Sequence, residues 1–448
     1  MGSNNSKQVA ITNEKTPRSF SSLKKEKDAS SAIPNNEATS LPTISPRCMQ
    51  DWTETLLKDP KKAPRSQTNA PPAADGSSLQ QASLIKAYNI REFELSQAYL
   101  FYWDKIEKAN WILEMIINTA HEDLSGRLVQ KLLQDPVTNG RQWDIVANLL
   151  DKYGLVPQGV YPDNLHAKNS AKMGWLLTMK LREQALVLRR LAKSPQAPQL
   201  GSVKEGFLKE IHSLVTLMLE QAPNPREQFV WQFHDADGKA REVRQTPLEF
   251  AKGATASRVS NVCLGRMTSL VNNPRNEYRR LLTVDKLGNV LEGRRLTYVN
   301  VEMETLKSAV IAMLQAGSLV FFGCDVGKFY DGDRGMMDTE LVDLALGFNI
   351  SLGMNKAEKL ASGEASMTRA MVITGVHLEN NQPVRWRVEN SWGEAAGDHG
   401  WFVLTDQWID EYAFQAVVDS NYVSRDVREI LNQEPQVLPR WDPMGVFA

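Results

Sequence analysis

One stretch of this 448-residue chain carries residues whose types and spacing suit a reaction: Arg385-Trp386-Arg387-Val388-Glu389-Asn390-Ser391-Trp392-Gly393. It alternates as a strand does and closes in an Asn-Ser-Trp-Gly corner ahead of a second strand-like run, Gly400-Trp401-Phe402-Val403-Leu404. An Asn side-chain carbonyl at the end of a strand can accept an imidazole N–H, which fixes the tautomer of a general base serving a nucleophilic thiol. The Trp beside it would keep water off that bond. Without a facing base, the same corner is a plain hairpin with a buried Trp.

The base should lie on the preceding strand-like run, Met367-Thr368-Arg369-Ala370-Met371-Val372-Ile373-Thr374-Gly375, and the position facing Asn390 is Arg369. A guanidinium donates hydrogen bonds and keeps its proton, so Arg369 occupies the place of a base without being one. No histidine falls between His234 and His377, and His377 sits toward the Glu379-Asn380-Asn381-Gln382 turn. The corner resembles that of the papain-like cysteine hydrolases while the base is missing. Fold signal and catalytic signal disagree.

The elements that must position these residues can be read in chain order. Residues 1–46 are rich in Ser, Thr, Asn, Pro and Lys and are expected to form a disordered arm. A short helix is expected at 49–57, and the Pro- and Ala-rich stretch 60–78 reads as a flexible linker. Helices follow at 79–88, at 94–119 with Tyr99, Phe101, Tyr102, Trp103 and Trp111, and from Arg141 to Leu150, closed by Gly154. Two strongly periodic helices at 171–192 and 203–221 read as an inserted helical hairpin. Phe229, Trp231 and Phe233 alternate into the Asp235-Ala236-Asp237-Gly238 turn, a helix is expected at 303–317, and 318–324 reads as a buried strand. The last third is β-rich and ends in a Pro-containing tail, 439–448. Helices first and a barrel-like sheet last give an α+β, two-lobed papain-like order: helical lobe 79–165, insertion 166–224, β-rich lobe 225–438 and tail.

Composition removes several function classes. Formal net charge is −1, so no global field favours nucleic acid or an acidic partner. Cys48, Cys263 and Cys324 have no paired spacing, which gives no zinc motif, no disulfide framework and a reduced, cytoplasmic expectation. No cofactor or metal is implied. No apolar run is long enough to span a bilayer. Met1-Gly2-Ser3-Asn4-Asn5-Ser6 fits an N-myristoylation pattern at Gly2, and one acyl chain with Lys24, Lys25 and Lys27 would give weak, reversible membrane association.

Five motifs carry a closer resemblance: Glu92-Phe93-Glu94-Leu95-Ser96-Gln97-Ala98-Tyr99-Leu100-Phe101, Gly126-Arg127-Leu128-Val129-Gln130, Phe322-Gly323-Cys324-Asp325-Val326-Gly327-Lys328, Arg387 through Glu394, and Trp441-Asp442-Pro443-Met444-Gly445. From about Arg47 to Ala448 the chain resembles the bleomycin hydrolases, papain-like cysteine aminopeptidases. The resemblance implies a homohexamer with active sites facing an inner chamber. It also implies a C-terminal tail whose carboxylate at Ala448 blocks part of each cleft, activity on peptides, bleomycin and homocysteine thiolactone, a cytoplasmic or mitochondrial location, and in some members nucleic-acid binding.

Three departures fall on the chemistry. The family carries a Gln and then Ser-Gly-Arg-Cys-Trp at the start of its central helix, but here the family spacing back from Tyr88 ends near Pro71 and no such run exists. The family His is Arg369, facing the retained Asn390. A Gly-Gly pair in the cleft is Gly140-Arg141, with Gln142, Trp143 and Trp392 as its expected neighbours. Cys324, Cys48 and Cys263 read as ordinary thiols, and Ser77 and Ser78 would be weak nucleophiles without a base. The expectation is an inactive pseudo-peptidase. Its alternatives are an active enzyme whose gene model has lost a segment and a nucleic-acid-binding ring using Arg189-Arg190, Arg279-Arg280 and Arg294-Arg295.

Overall fold

A computed structural model of the chain describes residues 84–445 apart from 86, 92, 138–141, 256–263 and 390–395. The arm, the helix at 49–57 and the linker at 60–78 therefore lie outside the described residues, as do Gly2, Cys48 and Cys263.

The helical side is built on α1, Gln97–Asn118. Ser96 caps it by accepting the Tyr99 N–H, and its own hydroxyl donates to the Tyr161 carbonyl, so the cap also ties in the chain that follows. Every turn of α1 contributes to the core through Tyr99, Phe101, Tyr102, Leu113 and Ile116. A short α2, Arg127–Gln134, and then α3, Trp143–Tyr153, pack against it. Gly154 ends α3 at φ 75°, and a Cβ there would come within 2.1 Å of the Pro247 carbonyl oxygen, so two segments cross where only glycine fits. The helical hairpin consists of α4, Ala171–Ala192, and α5, Leu200–Leu219, joined through a 3₁₀ turn at Ala197–Gln199. Both helices pack on α1, and the Tyr102 hydroxyl lies 3.1 Å from His212 Nε2 and 2.8 Å from Thr216 Oγ1.

Strands β1, Phe229–His234, and β2, Ala240–Gln245, form the expected hairpin, with Trp231 stacked on Phe233. Among the described residues the remaining strands make one eleven-stranded sheet: β3 Met267–Val271, β4 Arg280–Val284, β5 Tyr298–Asn300, β6 Val320–Cys324, β7 Tyr330–Asp331, β8 Met336–Met337, β9 Arg369–Glu379, β10 Gln382–Glu389, β11 Trp401–Thr405, β12 Ala413–Asp419 and β13 Gln436–Leu438. Their spatial order is β13-β4-β5-β3-β12-β6-β9-β10-β11-β8-β7. The helix α6, Met303–Gln315, packs against β12, β9 and β6. Helices first and sheet last confirm the α+β reading.

The β9–β10 ladder is not uniform. Gly375 faces Arg387 and Ile373 faces Val388, so Thr374 is an extra residue on β9, and its hydroxyl donates to the Arg387 carbonyl. A second irregularity, between Pro383 and Arg385, puts the extra residue on β10.

Candidate functional site

Three ladders converge at one end of the sheet. Cys324, the last residue of β6, pairs with Arg369, the first of β9, and on its other side with Ala413, the first of β12. Glu389, the last residue of β10, pairs with Val372, so β10 runs out toward this end as well. The chain reaches β9 through a fixed approach. Asp325, almost fully buried, accepts the Ser366 N–H at 3.2 Å and the Thr368 hydroxyl at 3.1 Å, and the Thr368 N–H donates to the Cys324 carbonyl at 3.0 Å. A buried carboxylate with two such donors is satisfied, and it sets where Arg369 begins.

The helical side meets the same strands through α3. Gln142, at its N-cap, accepts a long 3.4 Å hydrogen bond from Gln415 of β12, and Gln415 donates to Ser269 of β3 at 2.9 Å. Gln415 faces Gly323, the neighbour of Cys324. Trp143 is 0% exposed and packs on Phe321 of β6 with ring centroids 6.0 Å apart. Gln142 and Trp143 therefore join the two sides of the molecule from within, and neither presents a side chain to solvent. Arg369 is partly exposed.

Electrostatics at this end are mixed. Burial raises the Glu389 carboxyl above the ordinary glutamate value, and the nearby Arg387 opposes the shift. Arg387 itself lies over the Trp401 ring, 3.9 Å from its centroid. In the first turn of α3, burial pushes the Asp144 carboxyl up to about 6, against the pull of the Thr297 N–H and of Arg294. Among the described residues the one cysteine, Cys324, forms no disulfide, is 0% exposed and is thereby screened from a substrate. His377 lies at the far end of β9, opposite Arg385 and 3.7 Å from Glu379, well away from Cys324. No three His, Cys, Asp or Glu side chains among the described residues gather in a way that could hold a metal. No described helix is long and apolar enough to cross a membrane.

Of the residues singled out in the sequence, the structure places Arg369, Gln142 and Trp143. Asn390, Trp392, Arg141 and Ala448 lie outside the described residues, although Asn390 follows directly on β10. Sequence reasoning missed Gln415 and Ser269, which no local pattern marks. It quoted Asp325 within a motif without assigning it a task.

This architecture has known counterparts. The sequence model of the Peptidase C1-like family matches residues 78–445. Bleomycin hydrolase of Mus musculus is 41% identical over 377 residues, covering 81% of each chain. Cysteine proteinase 1, mitochondrial, of Saccharomyces cerevisiae (strain YJM789) is 42% identical over 82% of this chain and 76% of that protein. Aminopeptidase C of Listeria innocua is 39% identical over 80% of each. Among solved structures, PepW of Lactobacillus rhamnosis superposes with a TM-score of 0.78 at 31% identity, over 90% of this chain and 99% of that one. With matches of this extent on a sheet and helix order of this kind, the chain belongs to the Peptidase C1-like family and, within it, to the bleomycin hydrolase group of cysteine peptidases.

Proposed function

We propose that this chain keeps the scaffold of a bleomycin hydrolase and has lost its thiol-peptidase chemistry, serving as an assembled, hexameric pseudo-peptidase that binds peptide or small amide ligands. The observation that carries this reading is Arg369, a cation at the head of β9 where a general base would stand. A guanidinium beside a cleft attracts carboxylates, including the chain's own C-terminus, and cannot accept a proton from a thiol. The sequence also lacks the family's Gln and Cys run before Leu79, and the buried Cys324 makes no replacement nucleophile.

The test is turnover of aminoacyl-coumarin substrates by the purified chain, by Arg369→His, and by Arg369→His carrying a family-type Gln and Cys segment ahead of Leu79. A general base contributes about 10²–10⁴-fold, and only to a nucleophile within hydrogen-bond reach. An oxyanion donor adds roughly another 10²–10³-fold. The first two proteins are expected to be silent and only the third to turn over. Thiol-reagent-sensitive turnover by the unaltered chain overturns the reading.

A second reading, an active enzyme with a lost coding segment, accounts for the missing Cys and leaves Arg369 and Arg141 unexplained. Sequencing the transcript across the codons for 60–88 decides it.

A further inference from the structure

Helix α4 carries two apolar faces where the fold needs one. Met173, Leu177, Leu181, Ala185 and Leu188 recur at helical spacing and are buried on the side that packs on α1 and α5. The outer side should then be polar. Instead Trp175, Met179 and Leu186 stand on it 57%, 47% and 38% exposed, with the exposed Arg182 among them. Residues 175, 179, 182 and 186 follow one another at helical i, i+3 and i+4 spacing, which puts the four side chains in a single row roughly 16 Å long. The row continues past Leu186. Arg182 and Leu186 also line an open groove of about 1030 Å³ between α2, α4 and the tail, where Leu133, Trp441, Arg127 and Lys131 stand opposite. A contiguous exposed apolar surface of this kind marks a contact site.

Charge tells what fits there. Elsewhere on the molecule Arg275, Arg279, Arg294 and Lys307 each meet a carboxylate at 2.6–2.9 Å. Among the described residues, Arg127, Lys131 and Arg182 form no ion pair. Arg127 lies over the Trp441 ring, 4.6 Å from its centroid, Arg182 donates to the Leu133 and Gln134 carbonyls at 2.8 and 2.7 Å, and Lys131 donates to the Gln134 side chain at 3.2 Å. Burial and then the neighbouring Arg440 hold the Lys131 pKa below the ordinary lysine value, and Asp135 opposes them. Of the other acids nearby, Glu183 pairs with Lys180, Asp442 with Arg275, and Asp123 accepts from the Ser125 hydroxyl. Apolar anchors at helical spacing that lead into a groove with uncompensated cations match the docking of an amphipathic helix. We infer that the outer face of α4 and the α2–α4 groove bind an amphipathic helix of a different protein, one with apolar residues at i, i+4 and i+7 and with Asp or Glu beside them. None of these residues belongs to the β6 end of the sheet, so the inference goes beyond the pseudo-peptidase reading and does not rest on it.

The probe is a fluorescein-labelled peptide of about 18 residues, roughly 27 Å long when helical, with Leu along one face and Glu beside it, titrated into the full chain by fluorescence anisotropy. Micromolar binding that weakens with added salt is expected, and a peptide with Lys in place of each Glu should bind roughly tenfold or more weakly. Trp175→Glu/Leu186→Glu should weaken the Glu peptide roughly tenfold or more. Arg127→Glu/Lys131→Glu should reverse the preference, so that this variant binds the Lys peptide better than the Glu peptide, which a chain that has lost its fold would not do. All four positions are exposed or partly exposed, and melting temperature with far-UV spectrum checks both variants. Equal binding of the two peptides by the parent, or unchanged binding by either variant, overturns the inference. A single-stranded DNA oligonucleotide that displaces the Glu peptide, and that binds Trp175→Glu/Leu186→Glu as it binds the parent, reassigns the groove to phosphate. Sedimentation in which parent copies associate and Trp175→Glu/Leu186→Glu copies do not, with no peptide bound by either, reassigns the face to a second copy. Either result overturns the inference as well.

Discussion

Trp143 and Arg369 both abut β6, yet they sit under opposite rules. Trp143, the first residue of α3, is fully enclosed and packs against Phe321, so its type is fixed by volume and apolar area. Arg369 begins its strand partly open to solvent, held in place by backbone pairing to Cys324 and by the Asp325 network, neither of which depends on the side chain at position 369. The scaffold therefore constrains the residue type at position 143 far more than at position 369.

Variants can break this comparison or sharpen it. Trp143→Ala is expected to cost about 3–5 kcal/mol in denaturant unfolding, since a fully buried indole leaves a cavity where two sides of the molecule meet. Arg369→His, by contrast, should change stability by under about 0.5 kcal/mol. If the two effects were equal, the enclosed and open positions would not differ as argued.

A smaller effect comes from Asp144. Its carboxyl, raised to about 6, holds a proton in the folded state that the unfolded chain releases near the usual value of 3.8. Stability from this group is thus full below about pH 4 and is lost as pH rises through about 6, because the native state binds more protons in that window. Asp144→Asn should stabilise the protein by about 2 kcal/mol at pH 7 and by nothing near pH 4, read from unfolding curves at both. A pH-independent gain would mean that burial of the charge is not the cause. Smaller again, though still above the change expected at Arg369, is Ser96→Ala, about 1 kcal/mol from loss of the α1 cap.

Much of the frame was legible in the sequence because it repeats locally. The periodicity at 171–192 gives α4 its observed ends, and Gly154 stands where α3 stops. The Trp231 and Phe233 alternation gives the β1–β2 hairpin. What was not legible depends on distance along the chain. Gln142 and Gln415 meet across 273 residues, and β7 and β8 are two residues each, too short for any period to show. No local pattern marks the apolar residues at 345–355 as exposed, and only the structure shows Leu346 and Phe348 turned outward.

The extra residue at Thr374 also bears on whether a histidine could reach the β6 end of β9 from nearby. It divides β9 into two lengths whose side chains alternate out of step, with Arg369 on one and His377 on the other. The two positions are eight residues apart, roughly 27 Å of extended chain. A slip of the strand large enough to carry His377 to the β6 end would have to undo both ladders and reverse the bulge on the way. For this molecule, an imidazole at the β6 end of β9 would come through the codon for residue 369 and not through any motion of the fold.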